Sequence, residues 1–334
     1  MKACILAAMA LLVWGCKGRV PDPNTGGGQI GRVPPDLPRS QLTTSTASRP
    51  AHPLWNGKET VADYAKRAGI KDTEITLNLD GKVTMKLILT PAGRFMMGSP
   101  SGEKHQDDDE GPQHEVTISK PFYIGIYTVT QEQWKAVMGT TVAQQRTKAN
   151  RDWPLGPEGY NHPMYYVSWN EATEFCRRLS RRTGRTVHLP TEGQWEYACR
   201  AGSGTRFQYG DDANYTRLGD YAWYGDNSGL KTHPVGQKKG NDWGLYDMHG
   251  NVWQWCSDWY GPYDDKKLTD PAGPATGTFR ILRGGGWDCP PQDCRSAVRD
   301  GNVSDKRFDD VGFRVVLDLT PSAPEGSPAR PGLP

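Results

Sequence analysis

Three short segments in the first half of the chain are rich in apolar and β-branched residues. They cover residues 85–90, 115–119 and 122–127. Runs of this length and composition are typical of β-strands. We therefore predict three strands in this region.

Helical spacing of apolar residues appears in a longer segment that begins at Ser168 or Asn170. Phe175 and Leu179 recur there at one-turn intervals, and Gly184 provides a stop. A serine followed three residues later by glutamate is a capping-type start. This pattern predicts a helix that ends near Gly184.

A second helix is predicted after the sequence Leu-Pro-Thr-Glu at 189–192. Thr191 can cap it, and Trp195, Ala198 and Cys199 share one face. Residues 60–70 have helical spacing and a glycine stop, which predicts a short helix on the domain edge. Beyond Gly202 no period stands out, so almost all of that part is predicted to be loop.

Composition favours an irregular, loop-rich fold. The 334 residues include 39 glycines and 26 prolines, while 12 tryptophans and 14 tyrosines can bury large areas between long loops. The net charge is +2, with cationic and anionic residues nearly balanced. This balance gives no basic footprint, and we exclude nucleic acid as a partner.

The N-terminus has the pattern of an export signal. Lys2 precedes an apolar run over residues 5–13, which is too short to span a membrane, and Gly15-Cys16 closes the segment. Its end resembles the lipobox of bacterial lipoproteins, which implies lipidation of Cys16 and an anchor in the bacterial cell envelope. Ordinary secretion and a retained N-terminal anchor are the alternatives.

This pattern divides the chain into four parts. Residues 1–16 form the signal peptide and lipobox, and residues 17–72 form a flexible tether with one short helix. Residues 73–320 form the folded domain. Residues 321–334 are again rich in Pro, Ser and Gly, and we predict a disordered tail because such a segment buries little apolar surface.

A series of motifs follows in the domain, several of them built on tryptophan and glycine. They are Pro91-Ala-Gly-Arg-Phe-Met-Met-Gly-Ser99, Glu110-Gly-Pro-Gln-His-Glu-Val116, Val129-Thr-Gln131, Val167-Ser-Trp169, Leu189-Pro-Thr-Glu192 with Trp195-Glu-Tyr197, Gly244-Leu-Tyr-Asp-Met-His-Gly-Asn-Val-Trp-Gln-Trp255, Arg283-Gly-Gly-Gly-Trp287, Cys294-Arg-Ser-Ala-Val-Arg299 and Gly312-Phe-Arg314. In this order they resemble the formylglycine-generating enzyme family, also called the sulfatase-modifying factor family, over roughly residues 85–318.

The resemblance implies a single α/β (α+β) domain of the C-type-lectin-like kind with little regular secondary structure. Active members of the family oxidise a cysteine of a sulfatase to formylglycine with molecular oxygen, using Cu(I) held by two cysteine thiolates. Soft thiolate ligands suit Cu(I). A sulfatase-like protein substrate is therefore one expected partner.

Cys289 and Cys294 stand five residues apart, as the family's copper-binding and catalytic pair does. Their surroundings depart from the active pattern. Gly286 replaces a serine, and the segment Pro-Pro-Gln-Asp at 290–293 replaces one that contains His and Ser-Tyr.

The family also implies a competing role for Cys294, because many members join a cysteine near this point to the one that matches Cys199. Such a disulfide would close a loop of nearly 100 residues and stabilise the fold by roughly 4 kcal/mol on the chain-entropy model. A bridged sulfur cannot also bind copper. Cys176 and Cys256 lie beside large aromatic residues and are predicted to be buried, inert thiols.

The resemblance also implies calcium. The matching ligands are Asp247, Gly250, Val252 and Gln254, and oxygen ligands of this kind suit a hard cation. Gln254 replaces the usual glutamate and removes one negative charge. A loop held only by hydrogen bonds is the alternative.

Other polar and aromatic clusters carry weaker signals. The acidic run at 107–110 is predicted to be a solvated loop. Four histidines are scattered singly, without the paired spacing of a zinc or non-haem iron site: His114, His162, His188 and His233. Six tryptophans could line a groove but are more typical of a core: Trp223, Trp243, Trp253, Trp255, Trp259 and Trp287.

Two functions remain open at this point. The chain is either a formylglycine-generating oxidase with an incomplete active-site pattern, or a catalytically silent lipoprotein that binds an envelope protein or serves as a scaffold. The departures at Gly286 and 290–293 favour the second. A third class, oxidative maturases of secreted metabolites on the same fold, also lacks the copper pattern.

Overall fold

The computed structural model describes residues 52–150 and 155–321, with side chains through residue 319. The expected lipidation site Cys16, most of the tether and nearly all of the tail lie outside these residues. None of the helices in the described ranges has both the length and the apolarity needed to cross a membrane.

Six α-helices lie in the described ranges. They are α1 (Val61–Ala68), α2 (Gln131–Met138), α3 (Val142–Ala149), α4 (Trp169–Thr183), α5 (Glu192–Arg200) and α6 (Leu218–Tyr221).

The longest helix, α4, confirms the prediction from capping signals. The Ser168 side chain accepts a hydrogen bond from the Glu171 amide, and Glu171 reaches back to the Ser168 amide, which forms a capping box. Gly184 ends the helix with φ of 65°, a left-handed conformation that glycine adopts at little cost.

Helix α5 is also confirmed, and it is almost wholly buried. The Thr191 side chain caps it by accepting from the Gln194 amide. Its charged residues Glu192, Glu196 and Arg200 are inside the protein together with Trp195. A buried helix with charged residues needs a partner for each charge. Glu192 and Glu196 pair with arginines of the second sheet described below, and Arg200 pairs with Glu196 of the same helix.

The strands form three sheets. The first has the order β1 (Glu74–Asn78), β2 (Thr84–Thr90), β5 (Phe122–Gly125), β12 (Val316–Pro321) and β6 (Arg185–His188). The second has the order β10 (Arg299–Asn302), β9 (Arg280–Arg283), β7 (Trp253–Trp259) and β11 (Val311–Gly312). The third has the order β3 (Gly93–Met97), β4 (His114–Ile118) and β8 (Leu268–Thr269).

The three strands predicted in the first half are present as β2, β4 and β5. The prediction that almost everything beyond Gly202 is loop is wrong, because the whole second sheet lies there. Its strands are short, and charged residues such as Arg283 and Arg299 point into the protein. Without an apolar alternation, no local pattern marked them as strands.

Aromatic side chains fill the core. The Trp134 and Phe175 rings stack 5.8 Å apart between α2 and α4, and Phe313 meets Phe175 edge to face. Trp195 and Trp243 belong to a second apolar cluster around α5. The mixed architecture with short elements confirms the predicted loop-rich α/β fold.

Candidate functional site

A glycine turn at 284–286 connects β9 to the segment that carries both candidate cysteines. Gly284 and Gly285 have φ of 101° and 77°, which disfavour any other residue. A Cβ at Gly285 would lie 2.8 Å from the Cys294 Sγ, so the turn packs directly on that sulfur. The glycines therefore serve a close approach of backbone to cysteine.

Cys289 lies on the other side of the same turn. Its Sγ accepts hydrogen bonds from the Gly286 amide at 3.1 Å and from the Trp253 Nε1 at 3.2 Å. Its side chain is fully buried. The structure thus brings the two cysteines of the predicted pair to one turn.

Cys294 is enclosed by apolar side chains. It is fully buried and packs in a cluster with Phe207, Leu218, Ala222 and Tyr224. Burial raises the pKa of its thiol well above the usual value.

Nearby carboxylates raise that pKa further. They belong to Asp293, Asp288 and Asp226. Cu(I) with two thiolates carries a net negative charge, which these groups oppose, and oxygen and a substrate thiol would have to reach sulfurs that solvent does not reach. The sulfur donors suit copper, but their surroundings do not fit an open copper centre.

The expected disulfide between Cys199 and Cys294 is not formed in this structure. Both are free, buried thiols, as are Cys176 and Cys256, for which the prediction is confirmed. Cys199 belongs to the apolar cluster around α5, whereas Cys294 belongs to the cluster around α6.

The side chain next to Cys199 is Ser296 rather than Cys294. Burial raises the pKa of the Cys199 thiol to about 12, and the Ser296 hydroxyl counters part of that rise. The hydroxyl nevertheless forms no hydrogen bond of normal geometry. The family resemblance implied Cys294 as the partner of Cys199, whereas the fold places Ser296, two residues later in the chain, next to Cys199.

His249 is a buried residue that the sequence prediction did not single out, although it lies inside the tryptophan-rich motif. Its Nδ1 is 2.7 Å from the Cys294 carbonyl oxygen, and its Nε2 lies 3.8 Å from the Cys199 Sγ and hydrogen-bonds to Gln208. Burial lowers the pKa of His249 to about 4. A neutral imidazole therefore bridges the two cysteine segments.

The four residues expected to bind calcium lie on one loop, but Gln254 does not fit that role. Its Oε1 accepts hydrogen bonds from the Trp195 Nε1 at 2.9 Å and from the Arg314 Nε at 2.6 Å. Its Nε2 donates to the Asp247 carbonyl oxygen at 2.8 Å. Both acceptor positions of the Gln254 oxygen are therefore taken.

Arg314 also approaches the loop through its second terminal nitrogen. This atom donates to the carbonyl oxygens of Tyr246 at 2.8 Å and Asp247 at 3.2 Å. A buried guanidinium beside Gln254 and Asp247 repels a divalent cation. Hydrogen bonds from Gln254 and Arg314 hold this loop.

The acidic run at 107–110 is not simply a solvated loop, because Glu110 is fully buried. It receives two hydrogen bonds from Arg295, at 2.6 and 2.7 Å, and Glu103 accepts a third from the same guanidinium. Arg295 directly follows Cys294. A two-pronged arginine–carboxylate pair therefore fixes the back of the cysteine segment.

Two further buried pairs continue this network under the second sheet. Arg283 pairs with Glu196, and both side chains are fully buried. Arg299 donates to both carboxylate oxygens of Glu192, at 2.6 and 2.9 Å. Helix α5 thus supplies the partners for the charged strands β9 and β10.

The predicted core role of the tryptophans holds for Trp243, Trp253 and Trp255, which are buried. Trp223, Trp259 and Trp287 are partly exposed. Those three therefore do not belong to the core.

The match to a family model covers most of the described region. Residues 78–319 match the sulfatase-modifying factor enzyme 1-like domain. The chain belongs to this family.

Individual relatives span nearly the whole domain. A formylglycine-generating enzyme of Streptomyces coelicolor is 33% identical over 68% of this chain and 88% of its own length. An inactive Cα-formylglycine-generating enzyme 2 of Bos taurus is 30% identical over 71% of this chain and 90% of its own. The solved structure of Treponema denticola variable protein 1 is 29% identical with a TM-score of 0.63, covering 74% of this chain and 99% of that one.

Within the sulfatase-modifying factor family, this chain is therefore about equally similar to a formylglycine-generating enzyme and to a relative described as inactive. Family membership alone does not decide which group it joins. The surroundings of Cys289 and Cys294 at the glycine turn are the evidence that bears on whether the chain is active.

Proposed function

We propose that this protein is a non-oxidising member of the sulfatase-modifying factor family that acts as a binding or scaffold protein of the cell envelope. The observation that carries the proposal is the closure of Cys294. Its sulfur is buried in an apolar cluster, the glycine turn packs on it, and three carboxylates raise its pKa. A thiolate is disfavoured at such a position.

Two sequence features support the same conclusion. Gly286 has no hydroxyl, and its amide hydrogen is directed at Cys289. Pro290 and Pro291 fix the backbone between the cysteines, where a short helical turn begins at Pro291. An envelope location follows from the lipobox at Cys16, and replacing Cys16 by serine should move the protein from the membrane fraction to the soluble fraction.

Cysteine oxidation is the second candidate function. The two N–H donors directed at the Cys289 sulfur would stabilise negative charge there, and the cysteine spacing is that of the active family. The Streptomyces coelicolor relative is a formylglycine-generating enzyme. This candidate requires the segment around Cys294 to open.

In the deciding experiment, the reduced full chain is incubated with Cu(I), oxygen and a sulfatase-type cysteine peptide. Formylglycine in the peptide is then measured by mass spectrometry. We expect no conversion above a protein-free control. The Cys294→Ser variant should then behave like wild type. Cys256→Ser is the matched control, because Cys256 is equally buried but lies outside the turn.

Peptide conversion that is abolished by Cys294→Ser and retained by Cys256→Ser would overturn the proposal and establish the oxidase. An active formylglycine-generating enzyme assayed in parallel makes a negative result meaningful.

A further inference from the structure

An open cleft lies apart from the glycine turn, and no residue of the turn lines it. It is bounded by α4, β6 and the first residue of β9, and its volume is about 940 Å³. This size is within the range of sites for small ligands. Neither the cysteines of the turn nor residues 247–254 line this cleft.

The walls of this cleft are basic. Arg177, Arg181, Arg185 and Arg280 line it, together with His188, and no Asp or Glu side chain does. The Arg177 guanidinium is neutralised by Glu174, which accepts two hydrogen bonds from it at 2.6 Å.

The other three arginines carry positive charge without a directly paired carboxylate. Among the described residues, none of Arg181, Arg185 and Arg280 forms an ion pair with a carboxylate. The Asp318 carboxylate accepts from His188 at 3.3 Å, and the Asp258 carboxylate acts on Arg280 through its charge without a direct ion pair. A concave surface with one sign of charge attracts ions of the other sign.

Arg280 is held in a single orientation at the base of the cleft. Its guanidinium carbon lies 3.7 Å from the Trp169 ring centre and 3.4 Å from the Trp259 ring centre. The Trp169 Nε1 donates to the Cys256 carbonyl oxygen at 2.8 Å, which fixes that ring. Two indoles therefore cover both faces of the guanidinium, and its N–H groups can donate only within their plane.

Most of those N–H groups have no acceptor in the described protein. One terminal nitrogen donates to the Ser257 carbonyl oxygen at 2.7 Å. The Nε is buried and has no hydrogen-bond partner. A buried donor without an acceptor is costly, and a ligand oxygen would remove that cost.

The remaining wall suits an organic ligand rather than a bare ion. Val187, Leu189 and Cys176 contribute buried apolar surface, and Thr173 and Thr186 contribute hydroxyl groups. A ligand with one anionic group and an apolar or flat remainder matches both parts of the cleft.

We propose that this cleft binds a small organic anion, with a carboxylate, sulfate or phosphate group held by Arg280 and by Arg181 or Arg185. Arg280 provides the fixed, planar donor, and the positive charges of Arg181 and Arg185 attract the anion. The inference does not depend on the state of the cysteine pair.

Calorimetric titration of the full chain tests it with three simple probes, which are benzoate, phenyl sulfate and phenyl phosphate. Benzamide and benzyl alcohol are the neutral controls. We expect at least one anionic probe to bind with a dissociation constant of about a millimolar or tighter, and the neutral probes to bind at least tenfold more weakly. The order among the three anions identifies the preferred group.

Arg280→Gln should weaken binding of the preferred anion at least about tenfold, because it removes a charge-assisted hydrogen bond. Arg178→Gln is the matched control. Arg178 lies on α4, which borders the cleft, but it pairs with Glu174 and does not line the cleft. It should leave the dissociation constant unchanged.

Circular dichroism and thermal melting establish that Arg280→Gln is folded. If it is not, the double variant Arg181→Gln/Arg185→Gln replaces it, and a loss of at least threefold in affinity is expected. Three results would overturn the proposal: no anionic probe binds, neutral and anionic probes bind equally, or the folded arginine variants bind like wild type.

Discussion

The two ends of strand β9 carry arginines in opposite situations. Arg280 at its start lies in an open cleft between two indoles, with no carboxylate bonded to it. Arg283 at its end is fully buried and pairs with Glu196, and the glycine turn with its two cysteines follows directly. The two sites are separated by only roughly 10 Å of strand.

This difference shows that solvation and pairing, rather than residue type, decide what each site can do. At the closed end Arg283, Arg295 and Arg299 are each paired with a buried carboxylate, and the cysteine sulfurs are buried. At the open end the cations are left for a ligand. The pair Cys289 and Cys294, to which the family resemblance assigns the chemistry, is thus less accessible than the Arg280 cleft.

The largest effect is expected from breaking the closed end. Glu110→Ala leaves the Arg295 guanidinium buried with only Glu103 as a carboxylate partner. Removing one partner of a buried pair destabilises a protein by about 3–5 kcal/mol. Urea unfolding of the variant should show a loss of this size, and Cys294 should then react faster with a thiol reagent.

Glu174→Ala is the matched control on the open side. Glu174 pairs with Arg177 and Arg178 on the surface of α4, and exposed pairs contribute at most about 1 kcal/mol. Equal losses in the two variants would contradict the distinction between a sealed end and an open end.

The second prediction concerns the neighbour of Cys199. Ser296→Cys places a thiol beside Cys199 and removes a buried hydroxyl that has no partner. We expect an intramolecular disulfide after mild oxidation, with a gain of about 2–4 kcal/mol because the bridge closes a loop of nearly 100 residues. Non-reducing peptide mapping would identify the linked peptides.

Cys199→Ala/Ser296→Cys is the control and should show no bridge. A bridge from Cys199 to Cys294 in the wild-type chain would instead restore the pairing predicted from the sequence, and it would mean that the segment between β9 and β10 can rearrange.

Local signals were sufficient to predict three of the six described helices, α1, α4 and α5, but α2, α3 and α6 were not predicted. The caps Ser168 and Thr191 and the stop at Gly184 act within one turn of the chain, so they can be read from neighbouring residues. The second sheet could not be predicted in this way. Its charged strands are stable only because Glu192 and Glu196 arrive from a helix more than 80 residues away.

The candidate sites show the same limit. Motif order placed Cys289 and Cys294 at one turn, but it could not show that the sulfurs are buried or that Gln254 accepts from Arg314. The Arg280 cleft had no sequence signal at all. It depends on Trp169 and Trp259, which meet only in the folded chain.

The smallest expected effect concerns Asp258, which hydrogen-bonds to the cleft residue Ser257 but does not line the cleft itself. Burial and the Glu192 carboxylate raise the pKa of Asp258 to about 7, although the Glu192 amide donates to it at 2.9 Å. An unfolded aspartate has a pKa of about 3.9. Between these values the folded state holds a proton that the unfolded state has lost, so the stability falls as the pH rises from about 4 to 7.

Asp258→Asn removes this dependence. Relative to wild type, the variant should gain roughly 2 kcal/mol in free energy of unfolding between pH 5 and pH 7, since one pKa unit corresponds to about 1.4 kcal/mol. Denaturation at several pH values measures the difference, and Asp264→Asn on the exposed loop should show no such gain. Asp258 is also the carboxylate whose charge acts on Arg280. Its removal should therefore tighten anion binding in the cleft above pH 7 by a few-fold. An unchanged affinity would mean that the Asp258 charge does not act on the bound ligand.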